Sequence, residues 1–341
     1  MRSIAVALAV LALGGGGATA VDYEPFTGDI YVVSSTGGPR RALTSAPEQE
    51  YQPALSPTGC RIAYIRGDGE DAQVWLMNAD GSGERQLTRS DGEKARPLWS
   101  PNGRRLVFMV WNRSLCDPLV LWCPFTDVWS VNADGLNERK LFGRALQPAW
   151  SPDGRRLLFQ EFRIYAPHVT GAALDVARAD GSRVRRLSGA LAEEAQRSPP
   201  AWAPGGKQIV FGTTTPRLEH RATIVREDGR GLRRLGAARF PGWAPNGKSI
   251  VLERDTGVWV VPLAGGRSRR IGPRADGFGG SCPTWSPGGK RIAFLTSAVL
   301  SVVRPDGRGR KELASAALCT LHLFPSPPAW SRDGRRIYFA G

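Results

Sequence analysis

At 341 residues the chain is long enough for one large domain or two ordinary ones, and its 41% hydrophobic content excludes a disordered polymer. The formal charge of +15 is carried by 40 Arg and six Lys against 31 acidic residues. These basic residues are spread along the whole length instead of being gathered in one run, so the charge does not point to nucleic acid.

Residues 1–20, MRSIAVALAVLALGGGGATA, combine one Arg, an apolar run from Ile4 to Leu13 and an Ala18-Thr19-Ala20 cleavage signature. They are expected to be an export signal: the run is far shorter than the roughly twenty apolar residues of a spanning helix, and no Cys follows at a lipidation position. The mature chain, residues 21–341, is then a soluble periplasmic or secreted protein with no membrane span.

From Gln52 onward one motif recurs seven times. It reads QPALSPTGCRIAYI, RPLWSPNGRRLVFM, QPAWSPDGRRLLFQ, PPAWAPGGKQIVFG, FPGWAPNGKSIVLE, CPTWSPGGKRIAFL and PPAWSRDGRRIYFA, with the prolines 44, 51, 52, 41, 42 and 45 residues apart. A strand-rich period in the forties marks a propeller array. Pro at the second and Gly at the fourth turn position is hairpin chemistry, and the following segment, such as Arg156-Leu157-Leu158-Phe159, is apolar at consecutive positions, as a strand covered on both faces must be. A third strand, an Asp-Gly turn and a fourth strand complete each unit, as in Val74-Trp75-Leu76-Met77, Asp80-Gly81 and Leu87-Thr88.

The ends of the chain complement each other. IYVVSSTGGPRRALT supplies a third and fourth strand without a first and second, and the C-terminal copy supplies only the first two. The expected fold is all-β, one seven-bladed β-propeller of four-stranded antiparallel blades closed by strands from both termini. A six-bladed ring is the alternative if the first copy, with Leu55 in place of Trp, is not a true blade.

The motif Pro-x-Trp-Ser-Pro-Asp-Gly, followed by a strand, Asp-Gly and Arg-x-Leu-Thr, resembles the propeller repeat of the TolB family, related to WD-repeat propellers, over residues 25–341. The resemblance implies the fold. Similar repeats serve in protein-binding scaffolds, in the non-catalytic propellers of prolyl-oligopeptidase-type peptidases and in oligogalacturonate lyases. TolB itself carries an α/β domain ahead of its propeller, and no counterpart to it is expected here, where few residues separate the expected signal from the first strand.

A residue needed once should not recur in every blade, so the repeat can be subtracted. Of the eleven Trp, nine fall at repeat positions and read as packing. Trp111 and Trp122 fall in the insertion VWNRSLCDPLVLWCPFTD, together with Asp117, Phe125, Cys116 and Cys123. A Cys116–Cys123 bridge would stiffen an aromatic tip suited to an interface. The three histidines, His168, His220 and His322, also fall in inter-strand loops. In an up-and-down blade these loops share one face, so a binding site is expected on that loop-bearing face near the central opening.

Cys282 and Cys319 precede consecutive motifs and are candidates for a bridge between blades, leaving Cys60 as a buried free thiol in a second strand. Glu48, Glu50, Asp68, Glu70, Asp71, Asp91 and Glu93 read as solvated loop charges and not as a cation site, and Arg66-Gly67-Asp68 as a chance triplet. Paired basic residues such as Arg40-Arg41, Arg185-Arg186, Arg233-Arg234 and Arg269-Arg270 start the fourth strands and read as repeat features that block edge pairing.

No G-x-S-x-G, H-E-x-x-H, G-x-G-x-x-G or P-loop occurs in residues 21–341, and a prolyl-oligopeptidase-type enzyme would need a hydrolase domain that is not expected here. The expectation is an exported, monomeric, non-enzymatic scaffold without cofactor, binding an envelope or extracellular protein or a glycan. The alternative is a metal-dependent polysaccharide lyase resembling oligogalacturonate lyase, which holds its metal with several His on the central face.

Overall fold

Each motif folds as a tight turn. The Gly59 N–H donates to the Ser56 carbonyl at 2.8 Å, and Gly154 and Gly334 close the equivalent turns at 2.9 Å. The turn serine then fixes where the next strand begins: Ser56 Oγ accepts the Arg61 N–H at 3.1 Å, Ser151 Oγ that of Arg156 at 2.9 Å, and Ser331 Oγ that of Arg336 at 2.8 Å. Where Asp or Asn holds the third position, its side chain accepts the N–H two residues on, Asp153 from Arg155 at 3.0 Å and Asn102 from Arg104 at 3.1 Å. Cys60 lies between turn and strand, and is a free and exposed thiol. This corrects the expectation of a buried one, because the bond to Ser56 starts the strand at Arg61.

The computed structural model describes residues 28–111, 126–165, 169–188, 194–195, 199–214, 220–273, 281–296, 299–316 and 327–341. They form seven antiparallel sheets. Blade one is Glu50–Leu55, Arg61–Arg66, Gln73–Asn78 and Arg85–Gln86, and blade two is Glu93–Trp99, Arg105–Trp111, Thr126–Asn132 and Arg139–Phe142. Blade three is Ala145–Trp150, Arg156–Tyr165, Val169–Arg178 and Arg185–Ser188. In blade four the first strand comes in two pieces, Glu194–Ala195 and Ala201–Trp202, both paired to Gln208–Thr214, before His220–Arg226 and Arg233–Ala237. Blade five is Arg239–Trp243, Ser249–Arg254, Gly257–Pro262 and Arg269–Gly272, and blade six is Thr284–Trp285, Ile292–Thr296, Val299–Val303 and Lys311–Ser315.

Blade seven joins the two ends. Its first two strands are Ala329–Trp330 and Arg336–Ala340, and its last two are Ile30–Ser34 and Arg41–Ala42, with Tyr31 opposite Phe339 in the seam. The fold is therefore the expected seven-bladed propeller, and the copy with Leu55 is a complete blade. The one helical turn among the described residues is Gly69–Asp71, and no helix of theirs is long and apolar enough to cross a membrane.

First strands of neighbouring blades touch, for example Glu50–Leu55 with Glu93–Trp99 and Arg239–Trp243 with Thr284–Trp285, so they line the centre of the ring. The residue before each motif proline, where it is not itself proline, is left-handed: φ is 55° at Gln52, 53° at Arg96, 54° at Gln147, 47° at Phe240 and 39° at Cys282. In blades one, two, three and five the strand register shifts at this point, a bulge repeated around the ring. Second strands carry the core: Ile62, Tyr64, Leu106, Phe108, Leu158, Val210, Leu252 and Phe294 are fully buried between blades.

Two sets of polar contacts join neighbouring blades, the first at five junctions and the second at seven. Trp Nε1 donates to a first-strand carbonyl of the preceding blade, Trp99 to Ala54 at 3.0 Å, Trp150 to Leu98 at 3.3 Å, Trp243 to Ala201 at 3.1 Å, Trp285 to Gly242 at 3.3 Å and Trp330 to Thr284 at 3.3 Å. On the tight-turn face, a basic residue opening each fourth strand donates to a carbonyl in the next blade's third-to-fourth turn. Arg41 reaches Asp80, Arg85 Ala133, Arg139 Asp180, Arg185 Glu227, Arg233 Leu263 and Arg269 Asp306, at 2.6 to 3.1 Å. Lys311 reaches Thr36 at 2.7 Å and completes the circuit.

Candidate functional site

The loop-bearing face carries a cleft of about 620 Å³ between blades four and five. It is built where chain direction reverses twice. His220 begins the third strand of blade four, Arg234, Gly236 and Ala237 end its fourth, Ala238 and Arg239 cross to blade five, and Glu253, Arg254 and Asp255 end that blade's second strand. The crossing is tied down by the Ala238 N–H, which donates to the His220 carbonyl at 3.0 Å.

Charge in this cleft is unbalanced. Arg221, Arg234, Arg239 and Arg254 face two carboxylates, Glu253 and Asp255. Glu253 is 4% exposed and accepts the Ser281 N–H at 2.5 Å, so its carboxylate is engaged with the backbone. The Arg254 guanidinium lies 5.3 Å above the Trp259 ring, which fixes its direction. Arg234 and Arg239 have no carboxylate partner among the described residues. Burial holds the His220 imidazole below the usual histidine range, the neighbouring Arg239 charge lowers it further and Asp255 opposes them. At neutral pH the site is thus a half-buried neutral imidazole among guanidinium groups, an arrangement that receives anions.

Of the residues singled out in the sequence, His220 is placed in this cleft. Trp111 ends the second strand of blade two, 7% exposed and paired with Thr126 across the stem of the insertion. The insertion's Cys116, Asp117, Trp122, Cys123 and Phe125 lie outside the described residues, as do His168, Cys319 and His322. Cys282 is 3% exposed and disulfide-bonded, and its partner cysteine is also outside them. Among the acidic loop residues, Glu50 is buried and takes the Arg66 guanidinium at 2.5 Å, while Arg66 also reaches Glu84 at 2.5 Å. No group of three or more His, Cys, Asp or Glu suited to a metal occurs among the described residues.

Solved structures align over nearly the whole chain. TolB from Acinetobacter baumannii matches at 17% identity with a TM-score of 0.57, covering 81% of this chain and 67% of that one. A putative TolB from Agrobacterium tumefaciens matches at 16% identity and 0.55, covering 91% and 96%. The fold is TolB-like. Other functions share this TolB-like architecture: an oligogalacturonate lyase from Vibrio parahaemolyticus aligns at 11% identity with a TM-score of 0.64, covering 92% of this chain and 99% of that one. No family model matches the chain, and no curated protein matches it.

The sequence pointed to His220 but not to its surroundings. Arg233-Arg234 reads as one repeat feature, yet the structure divides the pair: Arg233 joins the blade-to-blade circuit at 2.8 Å, and Arg234 lines the cleft. Arg239 and Asp255 depart from the repeat at their positions, and that departure is the signal that could have found them.

Proposed function

We propose that the chain is an exported, non-enzymatic propeller that binds an acidic protein or glycan through its loop-bearing face. The observation that carries this reading is the guanidinium excess around His220, with Arg234 and Arg239 lacking carboxylate partners among the described residues. Variable loops on a rigid frame are suited to recognition, and solvent-facing arginines steer acidic partners toward such a face. The test is capture of a partner from envelope extract, followed by affinity measurement against that partner and against an acidic glycan such as polygalacturonate. Arg234→Ala with Arg239→Ala should weaken binding at least tenfold, about 1.4 kcal/mol. Unchanged binding by that double variant would remove the cleft from the contact. Trp122→Ala probes the insertion, whereas Trp111→Ala would report mainly on folding because Trp111 is buried.

A second reading, a metal-dependent lyase, is favoured by one feature, the imidazole of His220 held in its neutral form beside guanidinium groups. Neutral imidazole is the form that ligates a metal. Metal analysis of the purified protein, with ultraviolet detection of unsaturated uronate products and loss of both signals in His220→Ala, would replace the first reading with this one.

A further inference from the structure

Five charged side chains are buried among the described residues: Glu50, Lys94, Arg96, Asp175 and Glu253. Four of them are answered. Glu50 takes Arg66, Asp175 takes Arg186 at 3.2 Å, and Glu253 takes the Ser281 N–H. Lys94 is capped by the carbonyls of Ser90, Asp91 and Gly92. Arg96 is the exception. It is 7% exposed, its Nη1 is buried with no hydrogen-bond partner, and no carboxylate pairs with it among the described residues.

Its place in the ring makes this informative. Arg96 stands at the left-handed position before the motif proline, on the first strand of blade two, which lines the centre of the ring. Its own N–H donates to Gln52 Oε1 of blade one at 2.6 Å, so the neighbouring side chain holds the backbone in place. Around the seven blades this position is Gln52, Arg96, Gln147, Pro199, Phe240, Cys282 and Pro327. Three adjacent blades therefore present a polar arc with one cation at its middle, and the other four positions are apolar. A repeat feature would recur; this one does not.

Arginine cannot escape by losing its proton, and a buried guanidinium left without a counter-charge is costly, so buried charges are paired in native structures. Burial pulls the Arg96 pKa down to about 10, which still leaves it charged at neutral pH. An unanswered guanidinium on the first strand of a blade, where the ring has its central opening, is suited to receive an anion. We propose that Arg96 anchors a small oxyanion, a carboxylate or a phosphate, on the wall of the central channel, with Gln52 and Gln147 on either side. This site is separate from the His220 cleft and does not depend on it.

The test is thermal unfolding of the full chain in anion-poor buffer, titrated with sodium acetate or inorganic phosphate against sodium chloride at matched ionic strength. One of the two oxyanions should raise Tm saturably, by about 4 °C at a hundred times its Kd, and which one does so identifies the group. Arg96→Met should abolish the rise, and Arg234→Ala with Arg239→Ala should retain it. Should Arg96→Met fail to fold, Arg96→Lys serves, because an ammonium lacks the planar fork and should bind roughly tenfold more weakly. No saturable rise with either oxyanion, or an equal rise in the Arg96 variant, overturns the proposal.

Discussion

Lys311 Nζ donates to the Thr36 carbonyl at 2.7 Å across 275 residues of sequence, linking blade six to the N-terminal strands of blade seven. It is the one Lys in a circuit of seven basic donors, the other six being arginines. Lys311→Met should lower stability by about 0.5–1 kcal/mol, the range for an exposed charged donor on a carbonyl. Chemical denaturation monitored by tryptophan fluorescence would read this as a lower midpoint with an unchanged slope.

The tryptophan contacts should cost more, because they lie at the first strands. Trp99 Nε1 donates to Ala54 at 3.0 Å and the side chain is 8% exposed. Trp99→Phe removes the donor and leaves the carbonyl bare, for an expected loss of about 1–3 kcal/mol. The same measurement on Leu55→Ala isolates the junction between blades seven and one, where no Trp stands, and should show a loss from apolar burial alone.

A glycine pair tests turn packing. Gly229 sits in a third-to-fourth turn at φ 84°, where a β-carbon would run into the Leu187 carbonyl of the preceding blade. Gly205, in a motif turn, has open space around it and no left-handed backbone. Gly229→Ala should cost about 2–3 kcal/mol from strain and overlap, and Gly205→Ala should be close to neutral. Equal midpoints for the two variants would contradict the close approach.

Acid stability should follow the turn carboxylates. Asp153 is held below the usual carboxylate range by Ser151 Oγ and the Arg155 N–H, and Asp333 by Ser331 Oγ and the Arg335 N–H. Backbone and side-chain donors from Ser82 and Ser182 do the same for Asp80 and Asp180. A depressed folded pKa means that the contribution is fully present above the unfolded value, about 3.9, and is lost as pH falls through the folded value. Tm should therefore drop steeply below about pH 4. Asp153→Asn with Asp333→Asn should flatten that drop while preserving the turns, since Asn102 already makes the same bond to Arg104 at 3.1 Å.

The scaffold was legible because its signals are local. Gly at a fixed offset, preceded by Ser or Ala and in six of the seven copies by Pro, determines a turn within four residues, and seven such turns 41 to 52 residues apart leave few ways to arrange the strands. Features set between blades were not. Arg233 and Arg234 are identical in type, and only the alternation of side chains along a strand sends one to a turn carbonyl and the other to the cleft. Trp111 reads as part of an exposed insertion, yet its strand continues through it to pair with Thr126 and Glu93. Arg96 could have been found by subtraction at the pre-proline position, where one cation stands between two glutamines. That its guanidinium finds no carboxylate among the described residues is visible only in the folded ring.

The seven basic donors also give the molecule polarity. Each is bonded to a backbone carbonyl, and together they form a closed ring of basic side chains around the tight-turn face, in turns that also carry Asp80, Asp180 and Asp306. The residues that hold the ring shut are thus concentrated on the tight-turn face, so the loop-bearing side can vary in sequence without loosening the closure.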